Sequence, residues 1–449
     1  MANRKFDVLI IGGGNAGMGV TLPTREAGLS VAMLEDWDLG GTCPNRGCTP
    51  KKVLVAAAHS LHEIAHAGAH HIEVGAPSLD WAKLIAREKD LIRGIPGSLG
   101  GLMEKRGVEV IRGAGKFVSP DAVQVGADTI EAENIVVATG STPRPLPIPG
   151  AEHMITSDEV LSETTRPEEV IFIGGGVIAL EFSHVYARAG SKVTILEVMP
   201  RLLPALDADA VAQVHAMTEA LGVAIHTEVK VERIEPAGDR LRVVYDDGQS
   251  RSLEADRVIN GAGRIANTEG LDLEAGNVEN DRGRVAVDEA LRSTSNPKVH
   301  FCGDVLWTSP QLSPVATYEG RLVGRNIAEG ARHAPDYRVL PSCVYTVPAL
   351  ATVGLTEQAA SDQGLAFTAH TSDMSGWFAS RTYAESTAWS KVLVEDESDR
   401  IIGANIIGHA GEELIHFFSL AMRHDITVSQ IKEGLFGFPT FSADIKSMM

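Results

Sequence analysis

The chain has 449 residues, 44% hydrophobic and 22% charged, and a formal net charge of -19. This length exceeds what one hydrophobic core usually supports, so we expect several soluble globular domains and not a disordered chain. The negative charge disfavours nucleic acid and anionic membranes as partners. The apolar run before the first glycines is too short for a signal sequence or a membrane span, so we expect a cytoplasmic protein.

The N-terminal segment FDVLIIGGGNAGMGV predicts a buried strand, a glycine-rich turn and a helix. Gly12, Gly14 and Gly17 have the GxGxxG spacing, and the next predicted strand, SVAMLE, ends in Glu35. Glycines at these positions allow the backbone to approach a pyrophosphate at a helix N-terminus, and the acid can accept hydrogen bonds from ribose hydroxyls. The segment therefore predicts a dinucleotide site.

Two of the four cysteines, Cys43 and Cys48, follow in GGTCPNRGCTPKK. They could be metal ligands, a structural disulfide or a redox-active pair. Pro50 suits the first turn of a helix, so the Cys48 sulfur would lie near a helix N-terminus beside Lys51 and Lys52, which favours its thiolate. A zinc site would need further Cys or His ligands nearby, and structural disulfides are rare in the cytosol. We favour the redox pair.

The helix predicted after the cysteines carries histidines at spacings of three and four. His62, Glu63 and His66 match the HExxH pattern of zinc proteases, but no third ligand is evident, so we do not expect metalloprotease chemistry and predict no catalytic metal. His59, His62, His66 and His70 would lie along one helix face. A solvated or partner-facing stripe is the simpler interpretation, and binding of a transition metal by this stripe stays open.

The segment EEVIFIGGGVIALEFSHVYARAGSKVTILE repeats the first pattern. Gly174, Gly176 and Ala179 occupy the glycine positions, and Glu197 ends the following strand, with the first glycine and the acid 23 positions apart in both copies. Two copies predict two different dinucleotides. A carboxylate at position 197 can accept from two ribose hydroxyls but repels a 2'-phosphate, so we expect NADH to be preferred over NADPH.

The predicted elements indicate an α/β protein with two Rossmann-like domains and an α+β C-terminal domain. A proline-rich stretch places a boundary near Gly150, and the composition changes near Asp336. The predicted domains are a discontinuous first domain at 1–150 and 265–335, a second at 151–264 and a third at 336–449.

With these motifs in order, the chain resembles the flavin-dependent pyridine nucleotide disulfide oxidoreductases, the family of glutathione reductase, dihydrolipoamide dehydrogenase and mercuric reductase. The resemblance spans nearly the whole chain and rests on the two fingerprints, GGTCPNRGC, ATG, FCGD and VGLTE. It implies that the first domain binds FAD, the second binds NAD(P)H and the third forms the interface of a homodimer.

The resemblance also implies roles for individual residues. Cys43 would exchange with substrate, Cys48 would lie against the flavin in a charge-transfer complex, and Lys52 and Glu181 would form an ion pair beside the reactive flavin nitrogen. Glu35 would hold the adenosine ribose of FAD, Asp304 its ribityl chain and Ala114 its adenine through the main chain. The implied cofactor-binding residues are Gly12, Gly14, Gly17, Glu35, Thr42, Lys52, Ala114, Gly140, Gly174, Gly176, Ala179, Glu197, Gly263 and Asp304. Cys302 and Cys343 are expected to pack in cores.

The C-terminal segment GFPTFSADIK departs from the family pattern, in which a histidine pairs with a glutamate five residues later and reaches the partner subunit's disulfide. Phe438 stands at the histidine position and Ala443 at the glutamate position, with Asp444 one residue too far. The general acid and base of a typical disulfide reductase are therefore missing. The C-terminal cysteine pair of mercuric reductase is missing as well.

These features favour an NAD(P)H-dependent reductase of a small, unusual disulfide or related thioether. Ala179 points weakly towards NADPH, since NADPH enzymes of the family often have alanine there, but the charge of Glu197 outweighs a methyl group. Two alternatives stay open. One is a reductive cleavage enzyme similar to 2-ketopropyl coenzyme M oxidoreductase/carboxylase, which also has a phenylalanine at the histidine position. The other is a flavoprotein redox sensor with slow turnover.

Overall fold

The computed structural model describes residues 3–449, which form two compact units. The first unit comprises the residues up to Lys51 together with Ala86–Arg144 and Arg264–Asp336. The second comprises Lys52–Ile85, Pro145–Gly263 and Tyr337–Met449. Strands and helices alternate in both units, which confirms the predicted α/β class. Within residues 3–449, each helix is too short or too polar to span a bilayer.

The first unit is built on a seven-stranded sheet with the order β3-β2-β1-β6-β5-β4, in which β18 also pairs with β6. Its strands are β1 (Asn3–Ile11), β2 (Val31–Glu35), β3 (Val108–Arg112), β4 (Gly115–Ser119), β5 (Ala122–Val125), β6 (Asp128–Val137) and β18 (Val299–Phe301), and the short strands β7 (Ser141–Pro143) with β15 (Arg264–Ala266) and β16 (Asn280–Asp281) with β17 (Arg284–Val285) form two further pairs. Its helices are α1 (Asn15–Glu26), α2 (Thr42–Arg46), α5 (Ile95–Lys105) and α9 (Ser313–Glu329). Strands β1, β2, β3, β6 and β18 pair in parallel.

The centre of the parallel sheet of the first unit is buried on both faces, which explains the continuous apolar runs in β1 and β2. All five residues of β2 are buried, and Val8, Leu9 and Ile10 of β1 are inaccessible to solvent. Helices α1 and α9 cover this sheet with apolar residues of the same core, among them Val20 and Val323. The sheet therefore holds the carboxyl end of β1, where the first glycine turn begins, in a fixed position.

The second unit contains a parallel sheet with the order β10-β9-β8-β14, an antiparallel sheet β11-β12-β13 and an antiparallel sheet β19-β20-β23-β22-β21. Its strands are β8 (Glu169–Ile173), β9 (Lys192–Leu196), β10 (Ala224–His226), β11 (Lys230–Ala237), β12 (Arg240–Asp246), β13 (Ser250–Ala255), β14 (Arg257–Asn260), β19 (Ser342–Val344), β20 (Leu350–Gly354), β21 (Phe367–Asp373), β22 (Trp389–Glu395) and β23 (Arg400–Ile407). Its helices are α6 (Ser157–Val160), α7 (Val177–Arg188), α8 (Ala208–Ala220), α10 (Glu357–Asp362), α11 (Phe378–Thr382), α12 (Gly411–Arg423), α13 (Val428–Glu433) and α14 (Phe441–Asp444), with 3-10 turns at Ala67–His70, Ala151–His153 and Ile445–Ser447.

Helices α3 (Cys48–His66) and α4 (Trp81–Ile92) belong to both units, because the division of the chain falls within each of them. Residues 52–85, which the sequence assigns to the first predicted domain, lie in the second unit. Leu54 and Ala58 of α3 are buried in the same core as Leu180 of α7, and Trp81 stacks on Tyr186 with ring centroids 5.2 Å apart. This apolar packing explains why residues 52–85 belong to the second unit. The boundaries of the three predicted domains stay predictions.

Candidate active site

The first glycine turn lies between β1 and α1 and leaves space for a ligand. Gly12 has φ +109°, and a Cβ there would lie 2.4 Å from the carbonyl oxygen of Ala138, so only glycine fits. At Gly14 a Cβ would make only ordinary van der Waals contact, 3.7 Å from Gly41 Cα, so other residues do not crowd the turn beside the first residue of α1. A pyrophosphate could approach the helix N-terminus there, where its negative charge is favoured.

Glu35, at the end of β2, faces this turn. The N–H of Gly13 donates to its Oε2 over 2.7 Å, and the N–H of Trp37 donates to its Oε1 over 2.8 Å. Burial raises the pKa of Glu35. Each carboxylate oxygen keeps a further lone pair for a ribose hydroxyl, so these residues fit the adenosine half of a dinucleotide.

The second glycine turn, between β8 and α7, repeats these contacts. Gly174 has φ +99°, and the N–H of Gly175 donates to Glu197 Oε2 over 2.5 Å, while the N–H of Met199 donates to its Oε1 over 2.7 Å. Ala179, the third position of this fingerprint, is fully buried. The two halves of the chain therefore offer the same binding arrangement in two separate places, as two different dinucleotides would require.

Three other predicted FAD contacts, Asp304, Gly140 and Ala114, lie in the first unit. Asp304 follows β18 and accepts a hydrogen bond from Ser141 Oγ over 3.3 Å, and burial raises its pKa against the opposing charge of Arg264. Gly140, with φ +71°, precedes β7, and the exposed Ala114 lies in the turn between β3 and β4. This unit thus combines a backbone cradle with two carboxylate acceptors, the buried Glu35 and the partly buried Asp304, and its residues fit FAD.

Cys43 and Cys48 are both free thiols, Cys43 on the short helix α2 and Cys48 at the first residue of α3. The Cys48 thiol donates a hydrogen bond to the Cys43 sulfur, and this bond lowers the pKa of Cys43 to about 6, with help from Ser313 and Asn15. The same interaction raises the pKa of Cys48. Because the two sulfurs share this hydrogen bond, they titrate as a pair, and the pair gives up its first proton well below the ordinary pKa of a thiol.

Two of the groups around Cys43 were not evident from the sequence. Asn15, the first residue of α1, donates to the hydroxyl of Ser313 at the start of α9, and both side chains also stabilise the Cys43 thiolate. The two residues are 298 positions apart. Only the packing of α1 against α9 brings them together, so no local spacing could have indicated this support.

The pKa of Cys43 leads to a prediction about reactivity. In the reduced enzyme, the rate of alkylation of Cys43 by iodoacetamide should rise with pH with a midpoint near pH 6, because the thiolate is the nucleophile and a lowered pKa means that it is present above that pH. Cys48→Ala removes the main hydrogen-bond donor and should move the midpoint upward. An unchanged midpoint in Cys48→Ala would contradict the assigned cause.

In the second unit, Lys52 and Glu181 meet at Tyr345. The Lys52 ammonium lies 3.9 Å from the centre of the Tyr345 ring, and the N–H of Tyr345 donates to Glu181 Oε1 over 2.8 Å. Glu181, on α7, is only 3% exposed. The Lys52 Nζ also lies 3.7 Å from Glu412 Oε1. The structure therefore brings Lys52 and Glu181, the two residues of the predicted ion pair, to the same tyrosine. The sequence analysis did not indicate a role for Tyr345.

The C-terminal segment around Phe438 is exposed. Phe438 has 81% of its surface accessible, and Ala443 lies on α14, whose N-terminus is capped by Thr440. Burial raises the pKa of Asp444 on the same helix. Cys302, by contrast, is fully buried, as expected for a packing residue.

The sequence and the fold match known proteins over nearly their whole length. A model of the family described as pyridine nucleotide-disulphide oxidoreductase matches residues 6–320, and a model of the dimerisation domain of such enzymes matches residues 340–449. The chain is 31% identical to dihydrolipoyl dehydrogenase of Chlamydia muridarum, over 98% of this chain and 95% of that one. It is 33% identical to mitochondrial dihydrolipoyl dehydrogenase 2 of Arabidopsis thaliana, over 98% of this chain and 89% of that one. A solved Cu(II) complex of the HOCl-induced flavoprotein disulfide reductase RclA from Escherichia coli has a TM-score of 0.89, with 26% identity and 99% of each chain covered.

Proposed function

Because this chain belongs to the pyridine nucleotide-disulphide oxidoreductase family and is an NAD(P)H-dependent oxidoreductase acting on sulfur groups, we propose that it reduces a small disulfide or related thiol-reactive substrate with electrons from NADH. The first glycine turn, Glu35 and Asp304 would hold FAD, which when bound would supply the electron transfer from NADH to the Cys43–Cys48 disulfide. We further propose that the enzyme acts as a cytoplasmic homodimer, which the match of residues 340–449 to a dimerisation domain supports.

The main support for this proposal is the hydrogen bond between the thiols of Cys43 and Cys48. The Cys43 thiolate attacks one sulfur of the substrate disulfide and expels the first substrate thiolate, leaving a mixed disulfide. Cys48 then gives its proton to the expelled thiolate and attacks the Cys43 sulfur, which releases the second substrate thiolate and closes the Cys43–Cys48 disulfide. Two electrons have passed to the substrate, and NADH must return them before the next cycle.

The test is steady-state NADH oxidation with a panel of low-molecular-weight disulfides and thioethers. A reductase should release two thiols for each NADH consumed with at least one disulfide of the panel. Turnover of a thioether but not of disulfides would favour the reductive cleavage enzyme. Slow oxidation that no substrate accelerates would favour the redox sensor and contradict the proposal.

Cu(II) is a second candidate acceptor. The RclA structure that this fold matches is a Cu(II) complex, and thiolates are soft ligands that suit copper. Reduction of two Cu(II) ions to Cu(I) with closure of the Cys43–Cys48 disulfide releases protons and needs no general acid, which agrees with a phenylalanine at position 438. Formation of two chelated Cu(I) ions per NADH, abolished in Cys43→Ser, would support this candidate.

We expect kcat/KM to be at least about tenfold higher with NADH than with NADPH, because Glu197 would lie beside the 2'-phosphate and like charges are costly at close range. Glu197→Gln should narrow this ratio, mainly by improving the use of NADPH. Glu219→Gln, which removes a half-exposed carboxylate from α8 of the same unit, is the matched control and should leave the ratio unchanged. Equal efficiency with both nucleotides in the wild type would contradict the role assigned to Glu197.

A further inference from the structure

Three side chains of the second unit, distant from the cysteines in sequence, bring potential metal ligands together. His59 and Glu63 lie one turn apart on α3, and His409 lies in the loop between β23 and α12. One ligand atom from each residue lies within 4.8 Å of the other two, and His59 Nδ1 is 3.8 Å from Glu63 Oε1. A helix pair at i and i+4 with a third ligand from a remote loop forms one convergent donor set.

A buried carboxylate behind His409 orients its ring. Glu385, whose side chain is 4% exposed, places Oε1 3.5 Å from His409 Nδ1 and Oε2 3.4 Å from His62 Nε2. The His409 ring also stacks on Tyr383 and on Phe441, with centroids 4.5 and 4.9 Å away. Because Nδ1 faces Glu385, Nε2 is the nitrogen left for a ligand, as in the carboxylate–histidine arrangements that support metal sites.

Two other histidines of α3, His62 and His66, do not join these three residues. His62 faces Glu385, and the His66 ring N–H donates to the carbonyl oxygen of His62 over 2.8 Å, so both are engaged within the protein. His59 and Glu63 are about half exposed and free to change rotamer. Two ligand atoms of a tetrahedral zinc ion lie about 3.3 Å apart, so small rotations of these two side chains would close the site.

We propose that His59, Glu63 and His409 bind a divalent transition metal ion of the zinc and copper class, with a fourth position open to water. Imidazole nitrogen with a single carboxylate suits these ions, whereas Ca²⁺ and Mg²⁺ prefer sets of oxygen ligands. Glu63 as a ligand and Glu385 behind His409 supply two negative charges near the ion, which balance its charge. The site uses none of the residues assigned to disulfide reduction, so it stands or falls independently of the proposed function.

Zn²⁺ alone is the probe, because it is redox-inert, and the test uses the oxidised holoenzyme, in which the closed Cys43–Cys48 disulfide cannot bind it. Equilibrium dialysis should give about one Zn²⁺ per chain. Glu63→Gln and His409→Asn each remove a ligand. Each change should weaken Zn²⁺ binding by about 10- to 100-fold or more, since changes of the groups around a metal typically cost that much affinity. Mg²⁺ should not compete.

His70→Asn is the matched control, since His70 is an exposed histidine just beyond α3, and it should leave Zn²⁺ binding unchanged. Glu385→Gln should weaken binding without changing the stoichiometry, as expected for a positioning residue. Flavin content and melting temperature identify a misfolded variant. If a variant at the more buried His409 or Glu385 does not fold, Zn²⁺ binding by the Glu63→Gln variant still tests the site, because Glu63 is half exposed. Zn²⁺ retention by the Glu63→Gln variant equal to that of the wild type, or an equal loss in His70→Asn, would overturn the proposal.

Discussion

Cys43→Ser should lower disulfide turnover by at least about 10³-fold, because serine cannot supply the thiolate that attacks the substrate. The purified variant should remain yellow, and on two-electron reduction it should still show long-wavelength charge-transfer absorption. The hydrogen bond to Cys43, together with burial and the negative charge of Cys43, raises the pKa of Cys48 in the dithiol, so replacing Cys43 favours the Cys48 thiolate. A serine hydroxyl at position 43 can also donate a hydrogen bond to it.

Cys48→Ser should lose both the turnover and the long-wavelength band, since the thiolate expected against the flavin is gone. Cys343→Ser is the control, because this thiol lies on β19 of the second unit and has no assigned role in the reaction. The measurements are anaerobic titration with NADH followed by absorbance, and steady-state turnover. A band that survives in Cys48→Ser would show that the roles of the two cysteines are reversed or that another residue lies against the flavin.

The wild type should reduce glutathione disulfide weakly and activated aryl disulfides better, and the double variant Phe438→His with Ala443→Glu should improve glutathione disulfide turnover. A positioned acid that protonates the leaving thiolate typically contributes about 10² to 10⁴ in rate, and phenylalanine contributes none of it. A leaving group of low pKa needs this help least. The double variant should therefore flatten the dependence of rate on leaving-group pKa, which is measured across a series of disulfides.

The surroundings of Phe438 make this exchange practical. The ring is 81% exposed, so its replacement opens no cavity in the core. Ala443→Glu alone is the control and should gain little, since the carboxylate would have no histidine to orient. Rapid glutathione disulfide reduction by the wild type would mean that another acid has replaced the histidine. Asp444, whose pKa burial raises, is then the first residue to test, followed by the exposed His416 and His424.

The sequence by itself determined the elements whose causes are local. A strand, a glycine turn and a helix follow directly from the spacing of Gly12, Gly14 and Gly17, because a side chain at Gly12 would collide with the backbone. Glu35, the last residue of β2, and Glu197, the residue directly after β9, could be anticipated in the same way. The cysteine pair was also evident, since only four residues separate its members and the second cysteine begins α3.

Only the tertiary structure decided which distant side chains meet. Tyr345 reaches Glu181 across 164 positions, and Glu385 reaches His62 across 323, so no local spacing could indicate either contact. The sequence predicted one histidine face on α3, but His59 and His62 face different partners. The reason is physical: local spacing sets the direction of a side chain on its own helix or strand, whereas its neighbours are set by how sheets and helices bury their apolar faces against one another.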